Sequence, residues 1–173
     1  MVRGSMGKVS SEKILEIVAL FSEYAGVDGM IGGQAMDVAY EGKQISYKTL
    51  SFIHEHKTGR LLLLPILVAC ILGDASLEQR KALEIYGRNI GLAFQIKDDI
   101  LDVEGDFTQM GKAVKSDEKL QKSTYPSIFG LEKSKEMLTE SLREARKALE
   151  EVFTEEDLQE FLELTEFMEK RTK

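Results

Sequence analysis

An all-α bundle is the fold class this sequence predicts, and three observations carry it. Apolar residues recur at helical spacing along most of the 173 residues, no long stretch alternates with period two, and only two prolines interrupt the chain. Hydrophobic residues at 43% and charged residues at 31% describe a soluble globular chain with enough apolar material for one sizeable core.

The elements follow in order. Residues 1–8 lack apolar periodicity and are set apart as appended or flexible sequence, leaving 9–173 as one domain. Ser10 or Ser11 caps a first helix whose Ile14, Leu15, Ile17, Val18 and Phe21 fit a 3.6-residue period, ending near Gly26. A second helix over 30–40 stops by Gly42, and Gly32 and Gly33 inside it permit close helix approach at a cost in propensity. Ser46 or its neighbour opens a third through Leu50, Ile53 and Lys57. The apolar run 61–72, containing Pro65 and Cys70, is too short to cross a bilayer and reads as a buried helix. Cys70 is read as core packing; the absence of cysteine pairing and of a secretory signal points to a reducing cytoplasm.

Asp74 or Ser76 begins the longest helix, which carries Leu83, Ile85, Ile90, Leu92 and Phe94 toward an end at Gly105 or soon after. A loop over 107–114 and a short helix over 117–122 are expected next, then Pro126 in the first turn of another helix. Helices over 131–153 and 155–170 complete the chain, the last with Thr154 as cap and Glu155, Glu156 and Asp157 in its first turn.

The chemistry concentrates in Phe94-Gln95-Ile96-Lys97-Asp98-Asp99-Ile100-Leu101-Asp102. Asp98 and Asp102 share one helix face, with Asp99 about a quarter turn away. Carboxylates crowded in this way repel one another unless solvent or a cation relieves them. Mg²⁺ suits such oxygen donors, because it binds through one or two carboxylates together with waters and substrate phosphates. Asp106 extends the stripe, and Lys112, Lys115, Lys119 and Lys122 follow as cations able to neutralise phosphate. An ordinary solvated acidic face is the competing reading. The overall charge of −7 argues against nucleic acid or anionic lipid as a partner. His54 and His56, two apart, do not share a face and read as ordinary polar helix residues rather than metal ligands.

Three separated blocks carry a resemblance. They are Gly32-Gly33-Gln34-Ala35-Met36-Asp37 with Glu41-Gly42-Lys43; His56-Lys57-Thr58-Gly59; and residues 91–102 followed by Gly105-Asp106, Gly111-Lys112, Asp117 and Lys122-Ser123-Thr124-Tyr125-Pro126. In this order and near this spacing the chain resembles the trans-isoprenyl diphosphate synthases, or polyprenyl synthetases, and within them the bacterial farnesyl diphosphate synthases. The resemblance implies an isoprenoid synthase helical bundle and Mg²⁺ as cofactor, held by Asp98, Asp99 and Asp102. Lys57, on a helix break, would contact the allylic diphosphate with help from Thr58. Lys112 would bind the leaving diphosphate near the developing cation, and Lys122 would add a phosphate contact. Gln34, Asp37 and Gln95 would be polar cavity residues. Lys57, Lys112 and Asp98 are thus the catalytic candidates.

The implied reaction condenses dimethylallyl or geranyl diphosphate with isopentenyl diphosphate to give farnesyl diphosphate and release diphosphate. Geranylgeranyl or longer-chain synthases, a noncatalytic subunit of a heteromeric synthase, and more remotely terpene cyclases are the alternatives. The family's earlier aspartate-rich motif, its arginine pair and its N-terminal lysine and arginine are not in this sequence, whose only adjacent aspartates are Asp98 and Asp99. The chain is therefore expected to be the C-terminal portion of the fold, inactive alone, and to pair with a missing N-terminal portion or form a homodimer.

Overall fold

The computed structural model describes residues 7–108 and 123–172, with side chains described over 7–105 and 123–172. Within them the fold is all-α. The predicted loop over 107–114 is helical at 107 and 108 and otherwise lies outside the described residues, as does the short helix over 117–122.

Helix α1 spans Ser11–Ala25, and Ser10 is its cap, the hydroxyl accepting from Lys13 N at 3.3 Å. Helix α2 spans Met30–Ala39. Helix α3, Tyr47–His54, is capped by Ser46, whose Oγ accepts from Thr49 N at 3.3 Å. Replacing Ser46 by alanine is expected to cost about 1 kcal/mol, read as a lower urea midpoint, because an orphan N–H of the first turn loses its acceptor.

The break expected at Lys57 is not a break. Helix α3 widens into one π-helical turn, Glu55–Gly59, and continues directly as α4, Arg60–Leu72. The backbone stays right-handed at Glu55, Gly59 and Arg60, so the chain absorbs a surplus residue by widening a turn rather than by unwinding. Helix α4 runs on through Pro65 and buries Leu63, Leu64, Leu67, Val68, Cys70 and Ile71. Burial pushes the Cys70 thiol up, which suits packing rather than reactivity. No helix among the described residues is long and apolar enough to cross a membrane.

Helix α5, Leu77–Thr108, is 32 residues long and continues past Gly105. Its start is fixed by Ser76: Ser76 Oγ accepts from Gln79 N at 3.1 Å while Gln79 Oε1 accepts from Ser76 N at 2.9 Å, satisfying two donors reciprocally. Asp74 instead occupies the preceding turn, with φ of 54° and an ion pair to Lys13 at 2.5 Å. Helix α6, Tyr125–Phe129, has Pro126 in its first turn, as expected, and is capped by Thr124, which the sequence reading does not single out. Helix α7 spans Leu131–Glu150, shorter than the predicted stretch, and α8 spans Glu155–Lys170. Thr154 precedes α8, but its hydroxyl donates to Asp157 Oδ2 at 2.7 Å and makes no bond to the helix backbone.

Helix α5 is the axis. Its Ala82, Tyr86, Ile90, Ala93, Ile96 and Ile100, spaced three or four apart, pack with Leu138, Leu142, Ala145 and Leu149 of α7 and with Leu158 and Met168 of α8. Tyr86 satisfies its hydroxyl by donating to Phe161 O at 3.1 Å. A second cluster joins Ile17 and Tyr24 of α1 to the buried leucines, Val68 and Ile71 of α4. Helix α2 crosses the π-helical turn at Gly33, while Gly59 of that turn meets Gly91 of α5. These two close approaches bring α2, the π turn and the acidic end of α5 around one space.

Candidate functional site

That space is a cavity of about 230 Å³. Helix α2 contributes Asp37, and the turn after it Tyr40 and Glu41; α3 and the π turn contribute Leu50, Ile53, His54 and Lys57; α5 contributes Gln95, Asp98, Asp99 and Asp102. Lys43, Ile45, Ser123 and Thr124 close its rim, where Ile45 N donates to Ser123 Oγ at 3.0 Å. Six candidates of the sequence reading, Asp37, Lys57, Gln95, Asp98, Asp99 and Asp102, therefore line one cavity. Gln34 is exposed and Thr58 half-buried, and neither is among the lining residues. Lys112 and Lys122 lie outside the described residues, as does the Asp106 side chain.

The polar groups are not equivalent. Lys57 Nζ donates to Asp37 Oδ2 at 2.5 Å in a half-buried ion pair that links α2 to the π turn. The pairing holds the ammonium at the cavity, where three donors on a compact cation suit a phosphate oxygen. The three aspartates of α5 separate by depth. Asp99 is buried and accepts the backbone N–H of Tyr125 at 2.8 Å, which ties the start of α6 to α5. Asp98 is half exposed and ion-paired with Arg171; Asp102 is exposed. A quarter turn of helix thus gives Asp99 a structural bond while its neighbours present toward the cavity and solvent.

Asp98 and Asp102 are one turn apart on the same face, and both line the cavity. Among the described residues no three histidine, cysteine, aspartate or glutamate side chains form a metal cage. Two hard carboxylate donors beside a cavity nevertheless fit Mg²⁺, which keeps waters and takes remaining ligands from phosphate.

Two residues escaped the sequence reading. His54 is a cavity wall, and its Nδ1 is buried without a hydrogen-bond partner. Burial holds its ring at a pKa of about 4, with Asp37 pulling up and Lys57 pushing down. It is neutral near pH 7. The available signal was spacing, since His54 stands three before Lys57 and so shares its face. Arg171, near the end of the sequence, gave no local signal because its partner is 73 positions away. Tyr125 is also fully buried at the base of this region; burial, then Tyr47 and Asp99, push its hydroxyl pKa up.

The polyprenyl synthetase family profile matches residues 4–164. Farnesyl diphosphate synthase of Bacillus subtilis is 40% identical over 151 residues, covering 87% of this chain and 51% of that protein. The crystal structure of an FPP/GFPP synthase from Zymomonas mobilis superposes with a TM-score of 0.76 at 32% identity, covering 92% of this chain and 52% of that one. A geranyltransferase from Helicobacter pylori, crystallised with magnesium and isoprenyl diphosphate, gives 0.64 at 28% identity, covering 91% and 50%. The chain thus spans about half the length of the relatives it matches.

Proposed function

Because the chain belongs to the polyprenyl synthetase family, we propose that it supplies one wall of the active site of a Mg²⁺-dependent trans-prenyltransferase. The reaction is condensation of dimethylallyl or geranyl diphosphate with isopentenyl diphosphate to give farnesyl diphosphate. One observation carries the reading: Lys57, held by Asp37, and the Asp98/Asp102 face of α5 border the same cavity from opposite elements. Mg²⁺, when bound, would neutralise charge on the departing diphosphate.

The chain's own residues have distinct tasks in this reading. Asp98 and Asp102 hold the ion, with Asp99 anchoring the wall behind them. Lys57 binds a diphosphate oxygen and stabilises charge as the allylic C–O bond breaks. Gln95 lies one turn before Asp98 or Asp99 and offers an amide to the same ligand; Asp37 orients Lys57. Lys112 and Lys122 are proposed as further diphosphate contacts, and Gln34 and Thr58 as substrate contacts, on the family resemblance alone. The apolar Leu50 and Ile53 beside these groups help exclude water from a carbocation that water would capture. A reducing cytoplasm is the proposed compartment, with Cys70 a buried free thiol.

The test has two arms. The 173-residue chain alone, given both substrates and Mg²⁺, is expected to yield little or no product, and a version extended to the relatives' full length to yield a C15 diphosphate. Longer products from that version would move the assignment to a geranylgeranyl or longer-chain synthase. On the 173-residue chain itself, Mg²⁺-dependent binding of inorganic diphosphate should weaken about tenfold in Asp98→Asn, the loss of one charge-assisted ligand. Unchanged binding in that variant would remove Asp98 from the site.

A further inference from the structure

The residue that follows α8 comes back to the acidic face of α5 and places a cation there. Arg171 follows α8 with φ of −53° and ψ of 133°, leaving the helix, and its guanidinium ion-pairs with Asp98 Oδ1. The guanidinium lies over the Phe94 ring, 4.6 Å from its centroid. The Arg171 side chain is 13% exposed against 44% for Asp98. Two more contacts hold the same end of α8: Lys97 Nζ donates to Glu169 O at 2.9 Å, and Arg146 pairs with Glu169 at 3.1 Å.

This contact is incomplete as a structural bond. Arg171 Nε is buried without a hydrogen-bond partner, so one N–H of the guanidinium is desolvated and unpaired while Nη2 takes the Asp98 carboxylate. A cation–π contact offsets part of that cost. The carboxylate it occupies belongs to the cavity, on the face shared with Asp102.

We propose that Arg171 is an internal counter-cation that occupies Asp98 until a divalent ion displaces it, so that metal loading and release of the segment just after α8 are one linked event. The proposal rests on Asp98 being a metal ligand. An oxygen committed to the guanidinium is not open to the ion, so apparent metal affinity is reduced by the fraction of molecules in which Arg171 is docked. Linkage then works in reverse: metal binding must loosen the docked end to the same degree. The polar contacts that Lys97 and Arg146 make with Glu169 keep the released arginine close enough to return.

Mn²⁺ titration of the 173-residue chain, followed by electron paramagnetic resonance, tests this. Arg171→Gln should bind Mn²⁺ about three- to tenfold more tightly than the unaltered chain, the range expected for removing a partly buried competing ion pair. Arg171→Lys keeps the charge but loses the planar stack on Phe94, and should tighten about twofold; it serves if the glutamine variant fails to fold. Arg143→Gln removes an equal charge from α7, where among the described residues Arg143 pairs only with Glu140 and Glu144, without touching Asp98 or the end of α8, and should match the unaltered chain. Amide exchange over residues 168–172 should quicken when Mn²⁺ is added. If Asp98→Asn weakens binding while Arg171→Gln leaves it unchanged, or if Arg143→Gln tightens it equally, the counter-cation role is overturned and the metal ligand stands. If Asp98→Asn binds Mn²⁺ as the unaltered chain does, the ligand assignment has failed and the counter-cation role falls with it.

Discussion

Gly33→Ala is expected to lower stability by about 2–3 kcal/mol, the upper range of overpacking costs. A methyl group there would stand 2.3 Å from Lys57 N and 2.8 Å from both His56 C and Lys57 Cα. These are main-chain atoms, so no rotamer change can clear the space. Helix propensity pulls the other way, favouring alanine over glycine by about 1 kcal/mol in a helix interior. The clash wins because the π turn is also pinned from behind, where Gly59 meets Gly91 of α5. The substitution should therefore separate α2 from the turn and lengthen the Asp37–Lys57 pair as well as reduce stability. For a chain of this size the loss corresponds to a fall in Tm of roughly 4–10 °C, measurable by calorimetry. A Tm that is unchanged or raised would mean that the two helices slide apart without cost, contrary to the packing described.

The second large effect is acid-dependent and comes from His54. Its folded pKa is lowered from 6.5 to about 4, chiefly by burial. The unfolded chain therefore takes up the proton first, and stability rises with pH across that interval. The contribution is fully present above about pH 6.5 and is lost progressively as pH falls toward 4. At 1.36 kcal/mol per pKa unit, and allowing for partial solvent access, about 2–3 kcal/mol should disappear over this window. Asp37 and Lys57 face the same ring with opposite effects, so neither alone sets the shift. Urea midpoints measured at pH 7 and pH 4.5 would show the loss. His54→Gln, which cannot take a proton there, should have a visibly flatter dependence. Equal pH slopes for the two proteins would show that the buried imidazole is not the titrating group.

Much of the bundle was legible because its signals are local. Ser10, Ser46 and Ser76 each precede an apolar period of 3.6 and do cap or start a helix, and Pro126 does sit in a first turn. The acidic face of α5 was legible for the same reason, since a four-residue interval fixes a shared face before any tertiary contact is known. What was not legible was set mostly by distant partners. The continuation through Glu55–Gly59 depends on glycines of two other helices meeting that turn, which no window around Lys57 contains. Asp99 shares its run with Asp98, yet its burial and its bond to Tyr125 follow from where α6 lands, 26 positions on. Thr154 has the composition of a cap, but Asp157 competes for its hydroxyl. Gln34 shows the converse, a polar residue inside a recognised block that the fold leaves exposed and outside the cavity lining of the described residues.

The widened turn has a consequence for phase. Each residue advances an α-helix by about 100°, so one surplus residue resets which side of the rod points where. Upstream, the rod offers Leu50, His54 and Lys57 to the cavity; downstream it offers Leu64, Leu67 and Ile71 to the cluster with α1. Deleting Thr58 would tighten the turn to an ordinary α-helical one and rotate these two sectors against each other. Either the leucines would lose α1 or the ammonium would swing off its acid, which makes this single residue a length adjustment on which both halves of the rod depend.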